Sequence, residues 1–240
     1  MKKLLFAIIT ILACSSASFA IPVLQLDIQG GVYDLTTETI VAQSNSFTVY
    51  AYLKVGDSKN PVSDDYFLSV ALSPQFGPGP GNLGSFVFDQ YTGSDSASNG
   101  QKTISVTSEM LFGVPPLEAN LAKDPHDLPQ HGMFPTFFVE QGFKFIATQQ
   151  SGQYNTQDDS GQGPIAGSGM YYMAFTFNVA NLDPRYIIHF DLYNTRIKNS
   201  DIDVTQFAPF SHDAESGPRE RVPEPLLQKR RHSLRKRNAR

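Results

Sequence analysis

The constraint that bears hardest on this 240-residue chain is the period of its side chains. Between Ser46 and Lys54, Phe47, Val49, Ala51 and Leu53 fall on one side, and Thr48, Tyr50 and Tyr52 on the other. A period of two is what a strand with one buried face requires, and it does not fit the 3.6-residue repeat of a helix. Met170 to Val179 repeats it, with Tyr172, Ala174 and Thr176 set against Met173, Phe175 and Phe177. Leu24, Leu26 and Ile28 alternate with Gln25 and Asp27. Further strands are expected at Tyr66–Leu72, Gly84–Phe88, Thr103–Thr107, Phe134–Thr148 and Tyr186–Tyr193. Glycine and proline break the chain between them, as at Gly30-Gly31, Ser73-Pro74 and the QFGPGPG run from Gln75 to Gly81, and Gly142 reads as a bulge or turn. Phe112 to His131 carries four prolines and reads as ordered loop, with a helical turn or two at Leu117–Ala122. No segment holds a helical period for the length a helix needs. The expected fold is an all-β antiparallel sandwich, of jelly-roll or Ig/cohesin-like kind, with roughly 8–10 strands and long ordered loops.

The N-terminus has the layout of a secretory signal peptide. Lys2 and Lys3 precede an apolar run from Leu4 to Ala13, and Ser18-Phe19-Ala20 is a small-x-small cleavage site. Cleavage is expected after Ala20, although Ile11-Leu12-Ala13-Cys14 partly resembles a lipoprotein box in which Leu12 is bulky. The only cysteine then leaves with the leader, and the mature chain has neither a disulfide nor a thiol nucleophile. One sandwich domain is expected over residues 21–218, followed by a disordered basic tail over 219–240. The body holds 8 Lys and Arg against 21 Asp and Glu, a net charge near −13, and the tail holds 9 against 2, near +7. An acidic body argues against nucleic acid as the partner.

In the tail, Val222-Pro223-Glu224-Pro225 resembles the PEP-CTERM sorting signal. That signal implies an apolar span and then a basic cluster. Here the basic residues Lys229-Arg230-Arg231 and Arg235-Lys236-Arg237 follow, with only Leu226 and Leu227 as apolar side chains before them. The expectation is either a released protein or an altered reading frame after Pro225, and a sorting machinery is a partner only if the signal functions.

The body contains phrases in a fixed order: Gly31-Val32-Tyr33-Asp34, Phe47 to Leu53, Tyr66 to Pro74, Met110 to Leu117, His131 to Phe138, His189 to Asn194 and Phe207 to Ala214. The ordered set resembles the choice-of-anchor N family of exported bacterial proteins, across nearly all of residues 23–214. The resemblance implies a surface- or matrix-associated protein and carries over no catalytic residue.

Chemistry candidates are few. His189 and Asp191 lie two apart on one strand face, and His131, His212 and Asp213 add further imidazole and carboxylate groups of the kind that suit zinc or manganese. Asn155, Asp158 and Asp159, in a Gly-rich loop, are candidate oxygen ligands for calcium, as are Asp89 and Asp95 in another loop. Tyr50, Tyr52 and Tyr172 are candidates to stack on sugars from an outer sheet face. Paired carboxylates among Glu109, Glu118 and Glu140 would allow glycoside hydrolysis. No HExxH or GxSxG is present, and no catalytic residue is singled out. The leading expectation is an exported cell-surface or matrix sandwich that acts by adhesion or by binding extracellular polysaccharide or a surface protein. The alternative is a secreted hydrolase with a metal or paired-carboxylate site, which expects His131, His189 and His212 in one cleft.

Overall fold

A computed structural model describes residues 21–73, 82–91, 100–115, 135–198 and 201–217. Among them the strands are β1 (Leu24–Ile28), β2 (Val32–Asp34), β3 (Thr39–Val41), β4 (Ser46–Lys54), β5 (Asp65–Ser73), β6 (Ser85–Tyr91), β7 (Lys102–Ser105), β8 (Leu111–Gly113), β9 (Thr136–Phe143), β10 (Gln150–Gly152), β11 (Gly169–Asn178), β12 (Ile187–Lys198), β13 (Asp201–Phe207) and β14 (Asp213–Glu215). A single helical turn, α1 (Val106–Glu109), and a 3₁₀ turn at Phe210–His212 complete the list.

The strands form two sheets. The smaller runs β1-β4-β11-β6-β7, with β10 also on β11, and every pairing in it is antiparallel. The larger runs β2-β3-β14-β12-β5-β9-β8, with β13 also on β12. Only its β14–β3 pair is parallel.

The period of two decides which faces meet. Val49, Ala51 and Leu53 of β4 and Phe175 and Phe177 of β11 point inward from the smaller sheet, opposite Leu68, Val70, Leu72, Ile188, Phe190 and Leu192 of the larger. Phe177 meets Phe190 at a ring separation of 4.7 Å, and Phe47 meets Phe190 edge-on at 6.0 Å. Truncating a fully buried ring of this kind to alanine costs about 3–5 kcal/mol.

This is the antiparallel sandwich expected. The strand count exceeds the expectation because β2, β3, β8, β10 and β14 are three residues long, too short to display an alternation. Gly142 is neither bulge nor turn: it lies inside β9, opposite Phe67. A Cβ there would come within 3.3 Å of the Phe67 ring, which stacks on Tyr193 at 5.4 Å and 14°. The glycine therefore makes room for an aromatic ring lying across the strand pair. The helical turn expected at 117–122 falls outside the described residues.

Candidate functional site

With the apolar faces turned inward, the alternate side chains of each sheet point outward, and on both sheets a patch of them is polar and buried. On the larger sheet the patch centres on β12 and β14. These strands pair with His189 opposite Glu215 and Phe190 opposite Ala214, and the same register sets Asp191 against Asp213. Because Phe190 and Ala214 face the core, the four neighbours His189, Asp191, Asp213 and Glu215 share the outward face. All four are buried.

The contacts around the imidazole are specific. Its Nδ1 lies 3.4 Å from Glu215 Oε1, and its Nε2 lies 3.4 Å from Asp191 Oδ1 and 3.8 Å from Asp213 Oδ2. Nε2 makes no hydrogen bond. Burial works against a charged imidazole, but Asp191, Glu215 and Asp213 outweigh it and hold the His189 pKa well above the usual histidine range. Burial, reinforced by the neighbouring Asp191, likewise drives the Asp213 carboxyl well above the usual carboxylate range. Further along the same face, Ser69 donates to Glu140 Oε1 at 3.2 Å and Tyr193 donates to Glu140 Oε2 at 3.0 Å.

On the smaller sheet the patch centres on Asp27 of β1. Ile28 N and Gly161 N donate to its Oδ1 at 2.8 Å each, and the Tyr154 hydroxyl and Gly163 N donate to its Oδ2 at 2.8 and 3.2 Å. Burial pushes this carboxyl up, and the four donors pull it back. Tyr154 also lies 2.8 Å from the hydroxyl of Tyr52. Gln25 ties the covering loop down at both ends of its amide, donating to Tyr154 O at 2.8 Å and accepting from Thr156 N at 3.2 Å. Gly161 holds a φ of +84°, and a Cβ there would lie 2.5 Å from Gly31 O, so the closure of this loop needs glycine.

These two patches take in only some of the residues singled out from the sequence. His189, Asp191 and Asp213 come together. His212 does not join them. Its Nε2 lies 2.8 Å from Asn155 Oδ1 and its Nδ1 2.8 Å from Ser211 Oγ. Since Asn155 Oδ1 also accepts from Gln157 N at 3.0 Å, Nε2 is the protonated nitrogen and Nδ1 accepts from Ser211. Burial lowers the His212 pKa to about 4, so the ring is neutral at physiological pH. The single cleft expected of His189 and His212 is thus replaced by two separate sets, and His131 lies outside the described residues.

The calcium set is not presented as one group either. Asn155 turns its oxygen inward to His212, whereas Asp158 and Asp159 are exposed. Asp89 is buried on β6, and Asp95 lies outside the described residues. Glu109 is exposed and accepts from Ser105 N, away from the Ser69 and Tyr193 contacts of Glu140, and Glu118 lies outside the described residues.

Of the tyrosines, Tyr52 is fully buried beneath Tyr154, at a ring separation of 5.5 Å, and is not open to a sugar. Tyr50 and Tyr172 stay half-buried at the surface, edge to face at 6.1 Å. The motif Val222–Pro225 lies outside the described residues. Sequence reading missed Asp27, Tyr154 and Glu215. Glu215 was within reach, because Asp213-Ala214-Glu215 repeats the two-residue period. Asp27 was not, because the alternation that exposes it to the outer face says nothing about what then covers it.

No family model matches the chain, and no curated protein matches it. Among solved structures it is similar to ACE19, the collagen binding subdomain of the Enterococcus faecalis surface protein ACE, at 10% identity, covering 83% of this chain and 99% of that one with a TM-score of 0.25. A likeness this distant carries no functional inference.

Proposed function

We propose that the chain is an exported β-sandwich protein of the choice-of-anchor N kind, which works at the cell surface or in the extracellular matrix by binding polysaccharide and has no catalytic role. The leader-like N-terminus, the acidic body and the ordered family phrases support export. The observation that carries the binding reading is the outward pair Tyr50–Tyr172. β4 and β11 set Tyr50 opposite Ala174 and Thr48 opposite Thr176, so two half-buried rings stand beside a strip of small side chains. Tyr50 is further held by donating to Gln29 Oε1 at 3.1 Å. A shallow shelf with fixed ring faces suits stacking on sugars. The hydrolase reading gains no support from His189 and His212, since the hydrogen-bonded ring of His212 is committed to structure and the His189 set is closed to a substrate.

The test is a glycan array and a polysaccharide pull-down with the full chain, alongside Tyr172→Ala. Retention on at least one polysaccharide, weakened at least tenfold by Tyr172→Ala, is expected. A chain that retains no glycan, or one whose retention ignores Tyr172, overturns the reading.

A further inference from the structure

We propose that His189, Asp191 and Asp213 form a binding site for one divalent transition-metal ion, zinc being the best fit, which clamps β14 to β12. This goes beyond the surface-binding reading and does not depend on it.

The first argument is spacing. A charge-assisted hydrogen bond between imidazole and carboxylate closes to about 2.7–2.9 Å. Here the donor atoms stand 3.4 and 3.8 Å apart, and one oxygen or nitrogen from each of the three residues falls within 4.8 Å of the others. Ligands on a tetrahedral zinc ion, with bonds of about 2.0–2.2 Å, lie roughly 3.3–3.6 Å from one another. The groups stand at or slightly beyond the spacing of ligands around a common centre, and a small inward movement of the carboxylates would close them on one ion.

The second argument is the orientation of the ring. His189 is only 6% exposed, and its Nε2, which forms no hydrogen bond, is aimed between the two aspartates. Glu215 sits at the opposite nitrogen. A carboxylate on Nδ1 holds a proton there, the arrangement that supports a metal-bound imidazole, and a metal ion would take the place of the proton on Nε2.

The third argument is charge. Asp191 and Asp213 face each other across a strand pair, a placement that destabilises a sheet when both are ionised. Glu215 adds a third carboxyl beside a single imidazole. A divalent cation balances the charge of such a set. Imidazole among the ligands favours zinc over the hard ions calcium and magnesium. All three ligands are buried, and a fourth position on the ion would fall to a second carboxylate oxygen or to water.

The test uses the full chain, freed of metal with a chelator and titrated with zinc chloride in a calorimeter. One equivalent bound with submicromolar affinity is expected, together with a rise in Tm that calcium chloride does not reproduce. Asp213→Asn and His189→Gln are expected to weaken uptake at least 100-fold, and Glu215→Gln, which alters only the positioning of the ring, about tenfold. Cobalt supplies a readout that survives if the variants fail to fold: the wild-type chain should develop the intense visible absorption of tetrahedral cobalt and lose it on addition of zinc. A metal-free chain that takes up no zinc, uptake that ignores both His189 and Asp213, or a cobalt complex with only weak octahedral absorption overturns the proposal and leaves a hydrogen-bonded ion cluster only.

Discussion

Asp27 and Asp213 are both aspartates with no exposed surface, each on the outward face of a sheet, and they are held by opposite means. Asp27 is one carboxyl surrounded by neutral donors, three of them backbone N–H groups supplied by its own strand and by the loop that covers it. Asp213 is one of three carboxyl groups around a single imidazole. The difference teaches that two buried charges of equal burial answer to different physics. The first is neutralised by dipoles that the fold itself delivers, and it stabilises the loop that delivers them. The second is one of several carboxyl groups gathered on a single imidazole, and burial with Asp191 holds it well above the usual carboxylate range.

Four substitutions or measurements break or sharpen this contrast, from the largest effect to the smallest. Gly161→Ala should remove the loop that feeds Asp27, because the new Cβ meets Gly31 O and an alanine at this positive φ is strained. A loss of about 4 kcal/mol in urea unfolding is expected. Asp27→Asn should cost about 3 kcal/mol, since an amide nitrogen cannot accept from the donors that now converge there and two buried N–H or O–H groups lose their partner. If Asp27→Asn is neutral, the donor account of this patch is wrong.

The third measurement is alkaline unfolding. Burial raises the pKa of both Tyr52 and Tyr154, so each phenol stays neutral in the folded chain above the pH at which it ionises in the unfolded one. The stability they carry is therefore complete below about pH 10 and falls as pH rises beyond it, by about 1.4 kcal/mol per pH unit for each ring. Tyr154→Phe should make that slope shallower by one ring's share, read from unfolding curves at several alkaline pH values. Last, Asp213→Asn in the presence of chelator should change stability by less than about 1 kcal/mol, because burial and Asp191 already hold the Asp213 carboxyl well above the usual carboxylate range and an amide keeps its shape. The same chemical change would then be costly on one sheet and nearly neutral on the other. A loss at Asp213 in chelator as large as that at Asp27 would erase the contrast.

How far these regions could be read from the sequence follows the same divide. Val49, Ala51, Leu53, Met173, Phe175 and Phe177 declared their faces because burial by apolar contact is a local signal, repeated every second residue. The span of β4 was legible to the residue, Ser46 to Lys54, and β6 and β7 lie where strands were expected and pair antiparallel. His189 and Asp191 shared a face for the same reason. Their partners were not legible. Asp213 reaches Asp191 only because a three-residue strand inserts beside β12, and no period shows in three residues. The outward tyrosines were read as one group, yet Tyr154 descends from a distant loop onto Tyr52 and leaves Tyr50 and Tyr172 at the surface. Sequence alternation specifies direction, and cover comes from tertiary contacts that it does not encode.

The placement of β14 also orders events in time. It lies between β3 and β12, so residues 39–41 must wait for residues 213–215 before their sheet is continuous with the rest. A nascent chain that has emerged only as far as β13 holds β2 and β3 as an orphan hairpin, and the acidic quartet does not yet exist. Joining β2 and β3 to the rest of the larger sheet thus waits on a segment far along the chain, and such long-range closure makes for slow folding. Any ion captured by the quartet is drawn from the compartment in which that final closure takes place.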